Sequence, residues 1–596
     1  MNRTIFWCLS LLMSLLIGSG TPAAKDLEKL KVTSVVFQGN KAFSERSLKK
    51  IMLTRTAGFL RPAYYHPDVF QDDVTSLLEF YRRNGHLEVS IPQTEVVIDS
   101  AKSTADVRIT IVEGELTRVD GVAILGNTVF SDDVLMEQIK IRSGDPLKRQ
   151  EIQNATLAIL TLYSNNGYLE ATVSPDIRIN QEGHRALVDF FIQENNQFRV
   201  DKLCFEGLDK TKPAIARREL LFCPGDIVRY SQLLQSQRNL YLTGLFESVF
   251  IRPLSPADED SAKKDILVEL RERMAWELNT GIGYGSVEKA RLTLGLFNMN
   301  LAGTARKVGL TGKMSFVNRR VEVSFTEPWT LGYRWRTDIN LLTEYLEEPG
   351  FDLTRTGGRI EVGRSFSHRS SASLTYRQEQ VNLRRIKVRP VPEKYKTNLR
   401  TLTLSLVYDT RDNLFNSTRG LYLEWTNEMA GAFLQGTDTF ARSIGRAKYF
   451  HRLTSSALLA HSLEAGWMDV FGSSDEIPLN ERFFTGGPNS LRGFEYRLAG
   501  PLDENGYPLG GKFKTTLNVE VRQGVYKWIG AVLFADMGNV WKEVEQARLD
   551  DIRFSPGFGL RVNTPLGIFR CDLGINVKPR RNEASGRVVF NMGQAF

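Results

Sequence analysis

Two hydrophobic rhythms divide this chain. Up to about residue 273, short strands of alternating apolar and polar residues are interleaved with stretches of helical period; from Ala275 to the C-terminus only the strand alternation persists. The first half also repeats itself. The segments "VTSVVFQGNKAFS" (Val32 to Ser44), "VDGVAILGNTVFS" (Val119 to Ser131) and "VDKLCFEGLDKTK" (Val200 to Lys212) share an alternating strand that ends in glycine. Each is followed by a helical stretch and then by a second helix ending in an aromatic residue and glycine, as in "LLEFYRRNGHLEVSI", "ILTLYSNNGYLEATV" and "NLYLTGLFESVFI". Each unit closes on a strand that ends in acid: "DVRITIVEGE", "ALVDFFIQEN" and "DILVELRERM". A period of about 80 residues is too long for a solenoid and predicts three small α/β domains of the order strand, helix, helix, strand, strand. Gly85, Gly167 and Gly244 fall between the second helix and the next strand, where a left-handed cap is needed.

In the second half, "TLTLSLVYDTRD" sets Leu402, Leu404, Leu406 and Tyr408 on one face and Thr401, Thr403, Ser405 and Asp409 on the other. "GLYLEWTNE" and "TTLNVEVRQ" alternate in the same way. A soluble sandwich of this size would be exceptional, whereas a transmembrane barrel of about 16 strands accommodates the segment at about 20 residues per strand and turn. The chain ends on "GRVVFNMGQAF", and the pattern puts Val588, Phe590, Met592 and Phe596 on one apolar face. A closed barrel pairs such an edge with its first strand, for which "AWELNTGIGYGS" is the candidate. Its Gly281, Gly283 and Gly285 weaken that strand, so a less stable lateral seam is expected between it and the end containing Phe590, Gly593 and Phe596; room for a lumen plug is the other use of such glycines.

Composition narrows the classes further. After the N-terminus the 596-residue chain has no uninterrupted apolar run of about 20 residues, which excludes a polytopic helical membrane protein. The formal net charge of +8 is dispersed without a basic block and gives no reason to expect nucleic acid. "MNRTIFWCLSLLMSLLIGSGTPAAK" has a basic residue, an apolar stretch too short to span a bilayer, and small residues at Ala23 and Ala24, so residues 1–24 read as a cleaved secretory signal. An exported chain permits a Cys204–Cys223 disulfide, closing a loop of about 19 residues worth roughly 3 kcal/mol; two buried thiols satisfy the same spacing. The histidines and cysteines have no metal-site spacing and no nucleophile elbow is found, so no catalytic residue, cofactor or metal is expected.

One loop stands apart. "GGPNSLRGFEYR" (Gly486 to Arg497) fixes Arg492 beside Phe494 without the Lys-Ser/Thr of a phosphate-binding loop. Such an arginine makes sense if the loop folds into the lumen and meets a wall carboxylate. Alternation in "VLFADMGNVW" turns Phe534, Asp536 and Gly538 inward, with Glu520 inward on the preceding strand. A guanidinium can engage a carboxylate there through two hydrogen bonds.

"ERFFTGGPNSLRGFEYR", "FADMGNVW" and "SPGFGLRVNTPLGIFRCDLG", together with "FTEPW" and "DTRDNLFNSTRG", resemble the outer-membrane assembly superfamily that includes BamA, TamA and the two-partner secretion transporters. The α/β units resemble POTRA domains. The resemblance implies POTRA domains over residues 25–115, 116–196 and 197–273, and an all-β transmembrane barrel over residues 274–596. It maps the family's loop motif to Arg492, Gly493 and Phe494 and its wall carboxylate to Asp536, with Glu520 nearby. A count of three POTRA domains is most similar to TamA. The resemblance implies a bacterial outer-membrane location, with POTRA domains in the periplasm that bind nascent β-barrel or autotransporter substrates through exposed strand edges or serve as spacers. A TamA-like member would add a large periplasm-spanning TamB-like partner and outer-membrane lipids. The alternatives are a two-partner secretion pore exporting a dedicated substrate and a TamA-like role in phospholipid transport.

Overall fold

The computed structural model describes residues 30–57, 63–180, 182–254, 262–472, 474–565, 567–581 and 583–596; the expected signal over residues 1–24 lies outside them. The chain forms two compact units. Of the described residues, the first holds those up to Cys204 with those of Leu220–Ser236 and Ile251–Val268, and the second holds those of Phe205–Glu219, Gln237–Phe250 and Glu269–Phe596.

Among the described residues the first half contains three α/β repeats, each a three-stranded sheet with two helices. The first is β1 (Lys31–Gln38), α1 (Glu45–Ile51), α2 (Pro67–Arg83), β2 (Ser90–Asp99) and β3 (Thr104–Val112). The second is β4 (Arg118–Leu125), α3 (Asp132–Gln138), α4 (Arg149–Asn165), β5 (Thr172–Asn180) and β6 (Arg185–Gln193). The third is β7 (Arg199–Glu206), α5 (Pro213–Arg217), α6 (Tyr230–Leu242), β8 (Phe246–Pro253) and β9 (Lys263–Glu272). The last strand of each repeat is central, giving the orders β1-β3-β2, β4-β6-β5 and β7-β9-β8. In α2 the buried Phe70, Leu77 and Tyr81 recur at helical spacing, so one stripe of the helix packs on Val35, Val107 and Ile109 of the sheet.

The glycine ending each first strand has a steric cause. Gly39, Gly126 and Gly207 have φ of 87°, 88° and 78°, and a β-carbon on any of them would collide with the carbonyl oxygen of Ile111, Ile192 or Leu270 on the central strand. The acid ending the central strand then caps the loop beyond that glycine. Glu113 accepts the Ala42 N–H at 2.9 Å, Glu194 accepts those of Thr128 and Val129 at 2.8 and 2.9 Å, and Glu272 accepts those of Lys210 and Thr211 at 3.0 and 2.7 Å. Both recurring letters of the repeat thus serve one loop, which is why they recur together.

Sixteen further strands form a single antiparallel sheet among the described residues, paired in sequence order. They are β10 (Trp276–Gly285), β11 (Lys289–Leu301), β12 (Arg306–Ser315), β13 (Asn318–Glu327), β14 (Arg336–Glu348), β15 (Phe351–Ser365), β16 (Ser370–Arg384) and β17 (Lys396–Asp409). There follow β18 (Gly420–Ala430), β19 (Phe440–Arg452), β20 (Ala457–Val470), β21 (Phe513–Tyr526), β22 (Ile529–Trp541), β23 (Arg553–Thr564), β24 (Gly567–Ile575) and β25 (Gly586–Met592). The expected count and fold class hold. Alternation sorts the faces: Leu292, Leu294 and Leu296 of β11 and Leu404, Leu406 and Tyr408 of β17 are exposed, whereas Glu428, Glu520, Asp536 and Asp572 are buried.

One expectation is corrected, and of the two readings left open for Cys204 and Cys223 the thiols are found. Phe596 does not share the outward face of Phe590. The chain leaves β25 at Met592, turns at Gly593 (φ 94°), and sends Phe596 inward against Phe450, with ring centroids 6.4 Å apart. The Arg522 guanidinium lies 5.3 Å from the Phe596 ring, so packing against an aromatic and a cation replaces continued strand alternation. Cys204 and Cys223 are free thiols. Cys204 lies half-buried on β7, while Cys223 sits in an exposed turn whose N–H is held by Asp226 at 2.8 Å, so the turn geometry is closed by a carboxylate rather than by sulfur.

Candidate functional site in the barrel lumen

Residues 474–512, in the connection from β20 to β21, fold into the lumen. Gly486 and Gly487 have φ of 112° and 103°, and a β-carbon on Gly486 would strike the Glu495 carbonyl, so the paired glycines let the loop double back on itself. At the tip Arg492 is fully buried. Its Nε and Nη2 donate to the two carboxylate oxygens of Asp536, both at 2.7 Å, and its backbone N–H reaches Asp536 Oδ2 at 3.1 Å. Nη1 donates to Glu520 Oε1 at 2.6 Å and reaches Asp572 Oδ2 at 3.4 Å. The guanidinium carbon also lies 3.4 Å from the Phe534 ring centroid.

Gly493 is present because the backbone touches the wall. Its N–H donates to Ser555 Oγ at 2.8 Å, and an added β-carbon would lie 2.5 Å from that oxygen and 2.9 Å from the Ile575 backbone. Phe494 packs with Leu491 and Ala499 under the Arg553 guanidinium, 4.7 Å from its ring. The structure thus gathers Arg492, Gly493, Phe494, Glu520 and Asp536 into one site. Strand alternation did not single out its other members: Asn518, which donates to Asp536 Oδ1 at 2.8 Å and to the Ser490 carbonyl at 2.5 Å; Ser555; and Asp572, which binds Arg561. The signal for Asp572 was available in "FRCDLG", where Arg570 and Asp572 share the face opposite Cys571.

The edges of the sheet are arranged differently. Leu278, Ile282 and Tyr284 of β10 are exposed, with Gly281, Gly283 and Gly285 on the opposite face. Between the first and last strands the described residues form no ladder. Contact is made at Ser286, whose N–H and Oγ lie 2.9 and 3.0 Å from the Phe590 carbonyl, and whose Oγ accepts the Phe590 N–H at 2.8 Å. A β-carbon on Gly285 would lie 3.0 Å from Asn591 Oδ1, so this glycine admits the last strand to close approach. Beside the loop a polar cavity of about 800 Å³ remains, lined in part by Glu288, Arg291, Arg446, Glu464, Lys514 and Asn591.

Comparison with known proteins agrees with this architecture. Residues 300–596 match the Omp85 superfamily domain, and residues 30–114 and 117–195 match the POTRA family, described as a surface antigen variable number repeat. The chain is 23% identical to the outer membrane protein assembly factor BamA of Nitratidesulfovibrio vulgaris strain Hildenborough, over 95% of this chain and 74% of that protein. It is likewise 23% identical to the BamA of Neisseria meningitidis serogroup B, over 95% of this chain and 78% of the relative. The crystal structure of BamA from Haemophilus ducreyi lacking POTRA domains 1–3 superposes with a TM-score of 0.69 at 19% identity, covering 80% of this chain and 99% of that one, and so shares the fold. Three POTRA-type repeats, a sixteen-stranded barrel and an Arg-Gly-Phe loop bound to its inner wall place the chain in the Omp85 superfamily, as a protein of the bacterial outer membrane with periplasmic POTRA domains.

Proposed function

We propose that the protein assembles other β-barrel proteins into the outer membrane through a lateral seam between β10 and β25. The observation that carries this reading is the missing ladder at that seam. Every other neighbouring pair in the sheet has a hydrogen-bonded register, whereas the closing pair meets at Ser286 and Phe590. Opening it sacrifices few backbone hydrogen bonds, and the freed edge of β10 offers N–H and C=O groups to an incoming strand. The turn at Gly593 favours the same end, because residues 593–596 point into the lumen instead of extending β25 along β10.

The POTRA sheets would receive substrate segments earlier by strand addition. Pro92 in β2 and Pro175 in β5 each remove a backbone donor, while β8 is free of proline from Phe246 to Arg252, which makes it the most continuous of these three edge strands. The work consists of strand exchange and needs no bond chemistry, so no catalytic group is assigned. A specialised TamA-like scope, with a periplasm-spanning TamB-like partner and a link to lipids, is favoured by the three repeats; general assembly is favoured by the BamA name of the relatives.

Quantitative outer-membrane proteomics after depletion tests the reading. Loss of many barrel proteins supports a general factor, and loss of a few supports the specialised scope. An unchanged barrel proteome with disturbed phospholipids, or loss of one co-secreted protein alone, would replace it with lipid transport or a dedicated secretion pore.

A further inference from the structure

The lumen loop enters the wall at a second place. Eleven residues before Arg492, the short 3-10 turn Leu479–Glu481 buries Glu481, which is only 8% exposed. Its carboxylate lies 3.3 Å from Arg377 of β16 and 3.3 Å from Arg442 of β19, and Arg442 Nη1 also donates to the Glu481 carbonyl at 3.2 Å. Asn480 Nδ2 donates to Glu481 Oε1 at 3.0 Å, which orients the carboxylate from within the loop.

The two attachment points share one electrostatic plan with the sign reversed. At the tip, the wall supplies Arg522, Arg561 and Arg570 with Glu520, Asp536 and Asp572, three charges of each sign, and the loop adds the positive Arg492. At the other point, the wall supplies Arg355, Arg377 and Arg442 with Glu344, Glu379 and Glu428, again three of each sign, and the loop adds the negative Glu481. Arg492 and its neighbours hold the tip, Arg497 just beyond it binds Glu348 of β14 at 3.1 Å, and the arm before the tip is held by Glu481. Anchors on different strands, β16 and β19 against β21, β22 and β24, fix both its position and its direction.

We infer that Glu481 is a second positioning residue of the lumen loop, holding its first arm to β16 and β19 while Arg492 holds its tip. This attachment is a property of the loop and stands apart from the assembly reading, so its test does not use assembly activity.

The reporter is Thr485→Cys, at a buried position between the two anchors, in full-length protein whose Cys8, Cys204, Cys223 and Cys571 are replaced by serine. The labelling rate by a membrane-impermeant maleimide is measured in outer-membrane vesicles, with heat-modifiable migration confirming a folded barrel. Adding Glu481→Gln is expected to raise the rate about tenfold by populating a detached arm, while Glu481→Asp restores slow labelling. An unchanged rate in folded Glu481→Gln overturns the inference, as does equal acceleration in Glu481→Asp, which would point to packing rather than charge. Should Glu481→Gln not fold, Arg442→Lys decides. It keeps the charge but loses the geometry that reaches carboxylate and carbonyl together, and a rate equal to that of the parent overturns the inference.

Discussion

Ser286 and Phe590 join the first and last barrel strands through three contacts of 2.8–3.0 Å, where the other strand pairs are held by ladders. A tether at this point should lock the seam. Because a β-carbon on Gly285 falls 3.0 Å from Asn591 Oδ1, the pair Gly285→Cys and Asn591→Cys is placed to crosslink on oxidation. The expected outcome is a barrel of normal abundance that loses assembly activity when oxidised and regains it with reductant. Full activity in the quantitatively crosslinked protein would exclude opening between these strands.

Arg492 and Asp536 make the most complete ion pair at the loop tip, and breaking a buried pair of this kind costs about 3–5 kcal/mol. Arg492→Ala should therefore lower the heat-modification midpoint markedly. Arg492→Lys should fall between wild type and alanine, because an ammonium cannot grip both Asp536 oxygens while reaching Glu520. The reciprocal exchange of Arg492 and Asp536 should fare no better than the single changes, since an aspartate at 492 would face Glu520 and Asp572. Recovery by the exchange would mean that the two other carboxylates contribute little.

Glu194 gives the second POTRA repeat a defined acid response. Burial raises its pKa, but hydrogen bonds from Thr128, Tyr163 at 2.6 Å and the backbone N–H groups of Val129 and Thr128 outweigh that and hold it at about 2, below its ordinary 4.5. A depressed carboxylate pKa contributes stability that is present in full above the unfolded value and is lost as pH falls through the folded one. Glu194→Gln should thus lower the melting temperature of this repeat at neutral pH. The gap from wild type should narrow between about pH 4.5 and about pH 2. A gap independent of pH across that range would assign the effect to packing.

Trp329 of the "FTEPW" segment lies under two guanidinium groups, Arg218 at 5.2 Å and Arg334 at 5.3 Å, and Glu219 binds Arg334 at 2.7 Å. With Thr211 Oγ1 accepting from Asn300 at 2.8 Å, these contacts fasten residues 205–219 within the barrel's compact unit. At about 0.5–1 kcal/mol for each cation–π contact, Trp329→Ala should speed amide exchange across residues 210–219 several-fold while the barrel strands keep their protection. Unchanged exchange there would show that the backbone contacts alone hold the segment.

Much of this architecture was legible in the sequence because its signals are local. A residue's face in a strand depends on parity, so Leu404 and Asp536 could be sorted before any fold was known, and the recurring Gly and Glu of the repeats answer one loop conformation inside each domain. Parity also gave the inward face of Asp536 and Glu520 without naming the third carboxylate, Asp572, which lies on another strand. Three features depended on tertiary structure: the pairing of Glu481 with Arg377 and Arg442, the inward turn of Phe596 and the short contact at Ser286. Each depends on where strands distant in sequence meet around a closed wall, and the alternation of a single strand carries no information about its partner across the lumen. Sequence determined which residues face inward; barrel closure decided which of them touch.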